Sequence, residues 1–254
     1  MEPVIDPRMH KRIRRDGHDD EVAVEEPLEI RVDGQPIAVT MRTPGRDEEL
    51  AVGFLHGEGL IDGPRETGPP ADLAANAIDV AGPLLRDPGE RSFYTSSSCG
   101  VCGKGAIEQI AVDAPTATPG PTSSRALLAA LPEHLRQPAF ELTGGLHATG
   151  LFDADGHAII AREDVGRHNA MDKAIGRALL DGLVPLSGLI LVVSGRVAFE
   201  LVQKAAVAGC PVLVGVGAPT SLAIELATDR GMTLAGFARS GSVNVYSGAE
   251  RVVG

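Results

Sequence analysis

The second half of the chain alternates short apolar runs with segments of helical periodicity. The apolar runs, which are as long as strands, cover 157–161, 189–193, 211–216 and 232–237. This order is typical of successive βα units, and it predicts a mainly parallel sheet. Because 189–193 is apolar at every position, we expect a central strand covered on both faces.

The segments between these runs are predicted to be helices. Helices are expected over 197–208 and 219–228, and a third is indicated after the strand at 157–161. The third carries an apolar stripe on one face, at the spacing of an amphipathic helix. Its members are Ala170, Met171, Ala174, Ile175, Ala178 and Leu179.

The first half of the chain has a different pattern. Residues 28–41 read as two strands joined at Asp33-Gly34, a dipeptide that favours a hairpin turn. A helix is predicted over 47–56, and proline and glycine predict loops over 64–75 and 115–121. The expected fold class is therefore α/β, a layered mixed sheet with helices on both faces and a small N-terminal β-hairpin region.

A chain of 254 residues forms one large domain or a domain with an appendage. We divide it into a disordered basic arm over 1–20, an N-terminal region over 21–121 and an α/β cofactor-binding region over 122–254. A single continuous domain from residue 21 is the alternative. The arm is read as a solvated tail because blocks of charge favour disorder, and its basic residues are Arg8, Lys11, Arg12, Arg14 and Arg15.

Composition excludes several classes of protein. The net charge is −11 and the chain has no Trp, which argues against nucleic-acid binding through charge or base stacking. No apolar run reaches the roughly 20 residues of a membrane-spanning helix, and no secretory h-region follows the N-terminus. We therefore expect a cytoplasmic protein. The odd count of 3 cysteines does not suit a disulfide framework.

The motif SSSCGVCGKG at 96–105 is the first candidate site. Its thiols, Cys99 and Cys102, could bind one metal, pair with each other or pass sulfur between them. The surrounding glycines and Lys104 favour the thiolate that each of these reactions needs. A four-cysteine zinc site is excluded by the count, and Cys210 is interpreted as buried and inert.

A different zinc site is the alternative interpretation of the same motif. His56 and Glu58 form an H-x-E pattern upstream of Cys99 and Cys102, as in zinc nucleobase deaminases. Ser98 stands where those enzymes have proline, and the H-x-E residues fall at a predicted helix end. This pattern therefore indicates a zinc-dependent hydrolase less strongly than the two thiols indicate sulfur chemistry.

A second candidate site is a dense polar cluster at a strand–helix junction. Ligands bind at such junctions in open sheets, and the pairs His168–Asp172 and Asn169–Lys173 would each share a helix face. They could hold a base, a ribose or a pterin edge, and the alternative is a capping and ion-pair cluster. The cluster comprises Glu163, Asp164, Arg167, His168, Asn169, Asp172 and Lys173. His147, nearby in sequence, is read as a satisfied polar residue.

The third candidate is a set of loops at strand ends, over 194–196, 215–220 and 237–242. Each loop has small residues, and two of them precede a helix N-terminus that could bind phosphate. Arg196 and Arg239 supply bidentate donors. Neither a Walker A sequence nor G-x-G-x-x-G is present.

Taken together, these motifs resemble the formate dehydrogenase accessory sulfurtransferases, the FdhD family. The similarity runs from about residue 22 to 247, with a divergent stretch over 64–91. It is carried by SSCGVCGK at 97–104, TGGLHATGLFD at 143–153, EDVGRHNAMDKAIG at 163–176, SGRVAFELVQKAA at 194–206, VGAPTSLAIELA at 216–227, GFAR at 236–239 and NVYS at 244–247.

The resemblance implies a sulfur carrier required for formate dehydrogenase activity. Sulfur would pass from an IscS-type cysteine desulfurase, through a persulfide on Cys99 with Cys102 as its partner, to the molybdenum cofactor. That cofactor, Mo-bis(molybdopterin guanine dinucleotide), would then enter the formate dehydrogenase catalytic subunit. Cofactor contacts fall on Phe237, Ala238, Arg239, Ser240, Gly241 and Ser242.

The resemblance also implies a cytidine-deaminase-like fold and a homodimer, with no intrinsic metal. The composition predicts no nucleic-acid partner, and the lack of a long apolar run predicts no membrane partner. Two rivals stay open at this point. One is the zinc hydrolase described above, and the other is a non-catalytic chaperone for the cofactor and the dehydrogenase, whose cysteines sense metal or redox state.

Overall fold

The computed structural model describes residues 5–88, 93–94 and 114–254. The helices are α1 (Asp47–Gly57), α2 (Arg125–His134), α3 (Pro138–Thr143), α4 (Arg167–Leu180), α5 (Phe199–Val207) and α6 (Ser221–Asp229). The strands are β1 (His10–Arg15), β2 (His18–Ala23), β3 (Glu26–Val32), β4 (Gln35–Arg42), β5 (Thr67–Gly68), β6 (Ala77–Val80), β7 (Phe93–Tyr94), β8 (Ser123–Ser124), β9 (His147–Phe152), β10 (Ala158–Asp164), β11 (Ile190–Val193), β12 (Val212–Gly215), β13 (Thr233–Arg239), β14 (Ser242–Ser247) and β15 (Val252–Val253).

A six-stranded sheet in the order β10-β9-β11-β12-β13-β14 forms the centre of the fold. Only β11–β12 and β12–β13 pair in parallel, and the other neighbours are antiparallel. The expectation of a mainly parallel sheet is therefore wrong. Short connections join β9 to β10 and β13 to β14, and such connections produce antiparallel hairpins.

The two faces of this sheet bury different side chains. Along β11, Leu191 and Val193 pack with α4, α5 and α6, whereas Ile190 and Val192 pack with α2. This alternation follows from the two-residue period of a strand. It confirms the predicted mixed sheet with helices on both faces and the predicted central strand. The apolar stripe of α4 is buried at all six positions.

A second sheet, in the order β5-β6-β3-β4-β7, packs its apolar side chains on α1. Strands β3 and β4 form the predicted hairpin, with positive φ at Asp33 (47°) and Gly34 (78°), as a two-residue turn requires. The helix predicted over 47–56 is confirmed as α1. The loop predicted over 64–75 contains the two-residue strand β5.

The N-terminal segment departs from its prediction. Strands β1 and β2 form an antiparallel hairpin around Asp16-Gly17, so a disordered arm over 1–20 is wrong for the described residues from 10 onward. Cross-strand ion pairs offset the basic charge: Arg12 lies 2.9 Å from Glu21, and Arg15 lies 3.2 Å from Asp20. The domain division near 121 stays a prediction, although α1 packs directly on α4.

Within the described parts of the chain, no helix is both long and apolar enough to cross a bilayer.

Candidate functional site

The ends of the central strands bring several predicted loops to one edge of the sheet. Parallel strands β11, β12 and β13 all end there, at 194–196, 215–220 and 237–242. Strand β9 runs the opposite way and begins there with His147. We call these loops, together with His147, Arg167 and His168, the strand-edge site.

Hydrogen bonds join these loops into one surface. The Ser194 hydroxyl accepts the Ala148 N–H at 2.9 Å, and the Gly195 carbonyl accepts the Gly217 N–H at 3.0 Å. The Gly217 carbonyl in turn accepts the Phe237 N–H at 3.2 Å. A Cβ on Gly217 would lie 2.9 Å from the Arg196 nitrogen, so glycine is required for this approach.

Two helices start beside the site without a side-chain cap. In the described residues, neither Gly166 at the start of α4 nor Ala198 at the start of α5 supplies a side-chain cap. By contrast, the Thr220 hydroxyl at the start of α6 accepts the Ala223 N–H at 3.3 Å. Uncapped N-termini carry partial positive charge and bind anions. The electrostatics of this edge therefore favour an anionic ligand, and the exposed Arg196 adds a guanidinium.

Residues 237–242, the predicted cofactor contacts, form the end of β13 and a tight turn into β14. Arg239 pairs with Ser242, and positive φ at Ser240 (49°) and Gly241 (74°) makes a two-residue hairpin turn. Phe237 adopts φ 53°, which is a strained conformation for a bulky residue. Phe237 is 39% exposed, whereas Ala238 is buried. The irregular pairing between Gly236 and Arg239 thus leaves an aromatic residue accessible at the site.

Two histidines flank Arg167 at the same edge. Burial, together with the charges of Arg167 and Lys204 and the neighbouring His147, lowers the pKa of His168 to about 3. Burial and Arg167 also lower the pKa of His147, an effect that Asp164 partly offsets. Both imidazoles are therefore neutral near pH 7 and can donate or accept hydrogen bonds. The sequence did not indicate the effect of Arg167 on His147, because the two residues are 20 positions apart along the chain.

Most of the polar cluster at the strand–helix junction is used inside the protein. The Lys173 ammonium lies 2.7 Å from the Asp164 carboxylate and donates to the Thr43 carbonyl at 2.8 Å. The Asn169 amide donates to the Met41 carbonyl at 2.7 Å. The pair Asn169–Lys173 is therefore wrong as a ligand-holding pair.

Two further members of that cluster have structural partners. The Asp172 carboxylate lies 2.8 Å from the ammonium of Lys204, and both side chains are buried. The pair His168–Asp172 is therefore wrong as a ligand-holding pair. Glu163 accepts the backbone N–H of Ala139 at 3.1 Å and of Phe140 at 2.7 Å, and so caps α3. The capping and ion-pair interpretation is confirmed for these residues. Lys204 was not predicted, since nothing in its local sequence distinguishes it from a solvent-facing lysine.

The residues of the zinc alternative lie at the end of α1. His56 is buried with Nδ1 3.2 Å from the Ile61 carbonyl, and burial lowers its pKa. Glu58 lies 3.5 Å from the Lys204 ammonium. A cation beside these ligands opposes a divalent metal. Cys99 and Cys102 lie outside the described residues.

Cys210 is fully buried, as predicted. Burial raises its pKa to about 11, and its Sγ lies 3.3 Å from the Val212 carbonyl. The thiol is therefore inert at neutral pH. Asp153, Asp155 and His157 are close enough to share a cation, but they lie on an exposed turn at the opposite sheet edge from the strand-edge site.

Comparisons with known proteins agree with this architecture. Residues 23–253 match the model of the FdhD/NarQ family. The Sulfur carrier protein FdhD of Streptomyces coelicolor is 50% identical over 251 residues, covering 92% of this chain and 89% of the relative. The protein of the same name from Mycobacterium tuberculosis is 46% identical over 270 residues, covering 96% and 98%.

A solved structure has the same fold. It is a candidate formate dehydrogenase accessory protein from Desulfotalea psychrophila, which superposes with a TM-score of 0.73 at 27% identity. The alignment covers 96% of this chain and 97% of the other.

Proposed function

The chain belongs to the FdhD/NarQ family, and from this premise we propose that it is a sulfur carrier that serves formate dehydrogenase. The observation that carries the proposal is the name Sulfur carrier protein FdhD, borne by relatives that are about half identical over nearly the whole chain. The structural neighbour, named for formate dehydrogenase, supports the same system.

In the proposed loading step, the Cys99 thiolate attacks the outer sulfur of a persulfide on an IscS-type cysteine desulfurase. A bond forms between Cys99 Sγ and that sulfur, and the donor cysteine leaves as a thiolate. The glycines and Lys104 around Cys99 support this step, because they favour a thiolate that is accessible to the donor protein.

In the proposed release step, the Cys102 thiolate attacks Cys99 Sγ. The outer sulfur leaves as sulfide towards the molybdenum centre, and a Cys99–Cys102 disulfide forms. A cellular dithiol then reduces this disulfide, so the two electrons gained by the sulfur come from the cysteine pair and are restored by the dithiol. Two residues separate Cys99 from Cys102, and this spacing suits a pair of thiols that forms a disulfide reversibly.

The molybdenum cofactor is the substrate of this transfer, and we assign its binding to the strand-edge site. Its guanine dinucleotides carry several phosphates, which suit the uncapped starts of α4 and α5 and the exposed Arg196 and Arg239. This local charge would attract the ligand despite the net charge of −11. The outward ring of Phe237 could stack on a guanine or a pterin.

The homodimer, the cytidine-deaminase-like fold and the cytoplasmic location are further parts of the proposal, and they rest on the family resemblance and the composition. The zinc hydrolase is disfavoured by the Lys204 cation beside Glu58. An experiment on the cysteines distinguishes sulfur transfer from a chaperone role that involves no transfer.

The test is to incubate the protein with a cysteine desulfurase and cysteine, and to measure its mass. We expect one reductant-labile sulfur on the wild type, and none on Cys99→Ser. Cys210→Ala is the matched control and should load like the wild type, since this thiol is buried. A Cys99→Ser protein that loads fully would contradict the role of Cys99. Full formate dehydrogenase activity with a Cys99→Ser, Cys102→Ser double variant would instead support the chaperone.

A further inference from the structure

A cavity of about 350 Å³ lies between the N-terminal segment, the start of α1, the start of α3 and strand β10. This volume is within the range of small-molecule sites. The cavity shares no lining residue with the strand-edge site. Charged residues make up 8 of its 14 lining residues, 4 of each sign. A small molecule that fits it must therefore be polar.

Most of these charges are neutralised by partners within the protein. The closest atoms of each pair lie 2.5 to 3.0 Å apart. The pairs are Arg8 with Asp6, Asp47 with Arg42, Lys173 with Asp164, and Arg162 with Glu49. These groups shape the cavity, but their charges are already compensated.

Three lining residues lack such compensation. Arg46 is 60% exposed and lies 3.8 Å from Glu49, whose carboxylate already binds Arg162. Glu48 is exposed and forms no ion pair with any described residue. Glu163 accepts two backbone N–H groups, yet none of the described cations lies within ion-pair distance of it, and burial raises its pKa. The walls therefore leave one cation and two anions to be satisfied.

We propose that this cavity binds a small zwitterion of the size of a free α-amino acid, with its ammonium group at Glu163 and its carboxylate at Arg46. Glu48, at the same wall, would add attraction for the ammonium end. A simple anion would leave Glu163 uncompensated and would be repelled by it. A simple cation would leave Arg46 with only its 3.8 Å contact to the shared carboxylate of Glu49. This site is independent of the proposed sulfur transfer.

The N-terminal segment forms one wall of the cavity. Its lining residues there are Ile5, Asp6, Arg8 and Met9, which lie outside the stretch 23–253 that matches the family. The Asp6 carboxylate would lie 2.9 Å from a Cβ on Gly45, so glycine at 45 lets this segment lie close to the start of α1. The segment is thus positioned to cover a ligand in the cavity.

Calorimetric titration of the full chain with L-alanine tests the proposal, with acetate and methylammonium as single-charge probes. We expect L-alanine to bind, and each single-charge probe to bind at least about tenfold more weakly, because one charge-assisted contact is lost. Arg46→Asn and Glu163→Gln should each weaken L-alanine binding by about tenfold or more. Asparagine is chosen because position 46 has φ 61°.

Two control variants, Arg136→Asn and Glu225→Gln, change exposed charges outside the cavity. They should leave the affinity within about twofold of the wild type. Glu48→Gln removes the second carboxylate that would attract the ammonium group of the ligand. Because Glu48 is exposed, this change should not disturb the fold. Absence of heat with L-alanine at millimolar concentration would overturn the proposal. So would acetate that binds as tightly as L-alanine and is insensitive to Glu163→Gln.

Discussion

Gly53 of α1 and Gly176 of α4 lie in direct backbone contact where the two helices cross. A Cβ on Gly53 would lie 2.9 Å from the Gly176 nitrogen, and a Cβ on Gly176 would lie 2.9 Å from the Gly53 nitrogen. Each Cβ would also overlap a carbonyl oxygen of the other helix, that of Asp172 or Glu49. This crossing joins the helix of the five-stranded sheet to the helix of the central sheet.

The first prediction concerns this crossing. Gly176→Ala should lower the free energy of unfolding by at least about 1–3 kcal/mol, because the methyl group meets backbone that cannot move aside. The helix propensity of alanine, worth up to about 1 kcal/mol, would offset only part of this loss. Urea unfolding followed by circular dichroism measures it. Gly188→Ala, where a Cβ meets no atom within 4 Å, is the control, and equal stability of the two variants would contradict the crossing.

The second prediction concerns pH. The folded pKa of His168 is about 3, below its ordinary value of 6.5, so the unfolded chain binds the extra proton between these values. The contribution of neutral His168 to the free energy of unfolding is complete above pH 6.5 and is lost as the pH falls towards 3. The free energy of unfolding of the wild type, measured with urea, should therefore be lower at about pH 5 than at pH 7.

The variant His168→Gln should reduce this drop, since glutamine does not titrate. The control His18→Gln changes an exposed imidazole and should keep the wild-type difference. A His168→Gln protein with an unchanged pH response would show that other groups cause the acid sensitivity.

The third prediction concerns ligand charge at the strand-edge site. If guanine dinucleotide phosphates bind there, Arg239→Ala and Arg196→Ala should each weaken guanosine diphosphate binding by about 10-fold to 100-fold. Calorimetric titration measures this, and affinity should fall with added salt. Arg136→Ala, an exposed arginine outside the site, should have little effect. Equal affinities for all three variants would exclude these arginines from the site.

The fourth prediction separates stability from binding at Phe237. Since φ is 53° there, Phe237→Gly should relieve backbone strain worth about 1–3 kcal/mol. The same change should weaken binding of guanosine diphosphate, because the exposed ring is lost. Unfolding and binding are measured on one preparation. Leu73→Gly, also at positive φ (52°) but outside the strand-edge site, should relieve strain without loss of affinity. A Phe237→Gly protein that binds like the wild type would remove the ring from the site.

Local sequence patterns were sufficient to predict those structural features that depend on residues adjacent in the chain. The apolar stripe of α4 and the Asp33-Gly34 turn were both predicted, because helix periodicity and turn conformation are properties of a few adjacent residues. The N-terminal hairpin was missed although Asp16-Gly17 is the same kind of turn. Its charged residues favour disorder when read along the chain, and the cross-strand ion pairs that stabilise it form only in the folded hairpin.

The candidate site was predicted in part. The loops at 194–196, 215–220 and 237–242 meet at one edge because their strands are neighbours in the sheet. The sequence indicated the loops, but it did not indicate that β9 runs antiparallel and places His147 beside them. Nor did it separate Arg167, at the site, from Lys173, whose ammonium is buried against Asp164.

The sequence by itself determined the type and approximate bounds of four helices and six strands, the family, and the two cysteines on which the sulfur chemistry is proposed. These elements are α1, α4, α5, α6, β3, β4, β10, β11, β12 and β13. Only the tertiary structure decided strand order, the neutral state of His168, the buried pair of Asp172 with Lys204 and the cavity at Glu163. The physical reason is distance along the chain. Backbone periodicity acts between near neighbours, whereas burial and ion pairing depend on residues that only folding brings together.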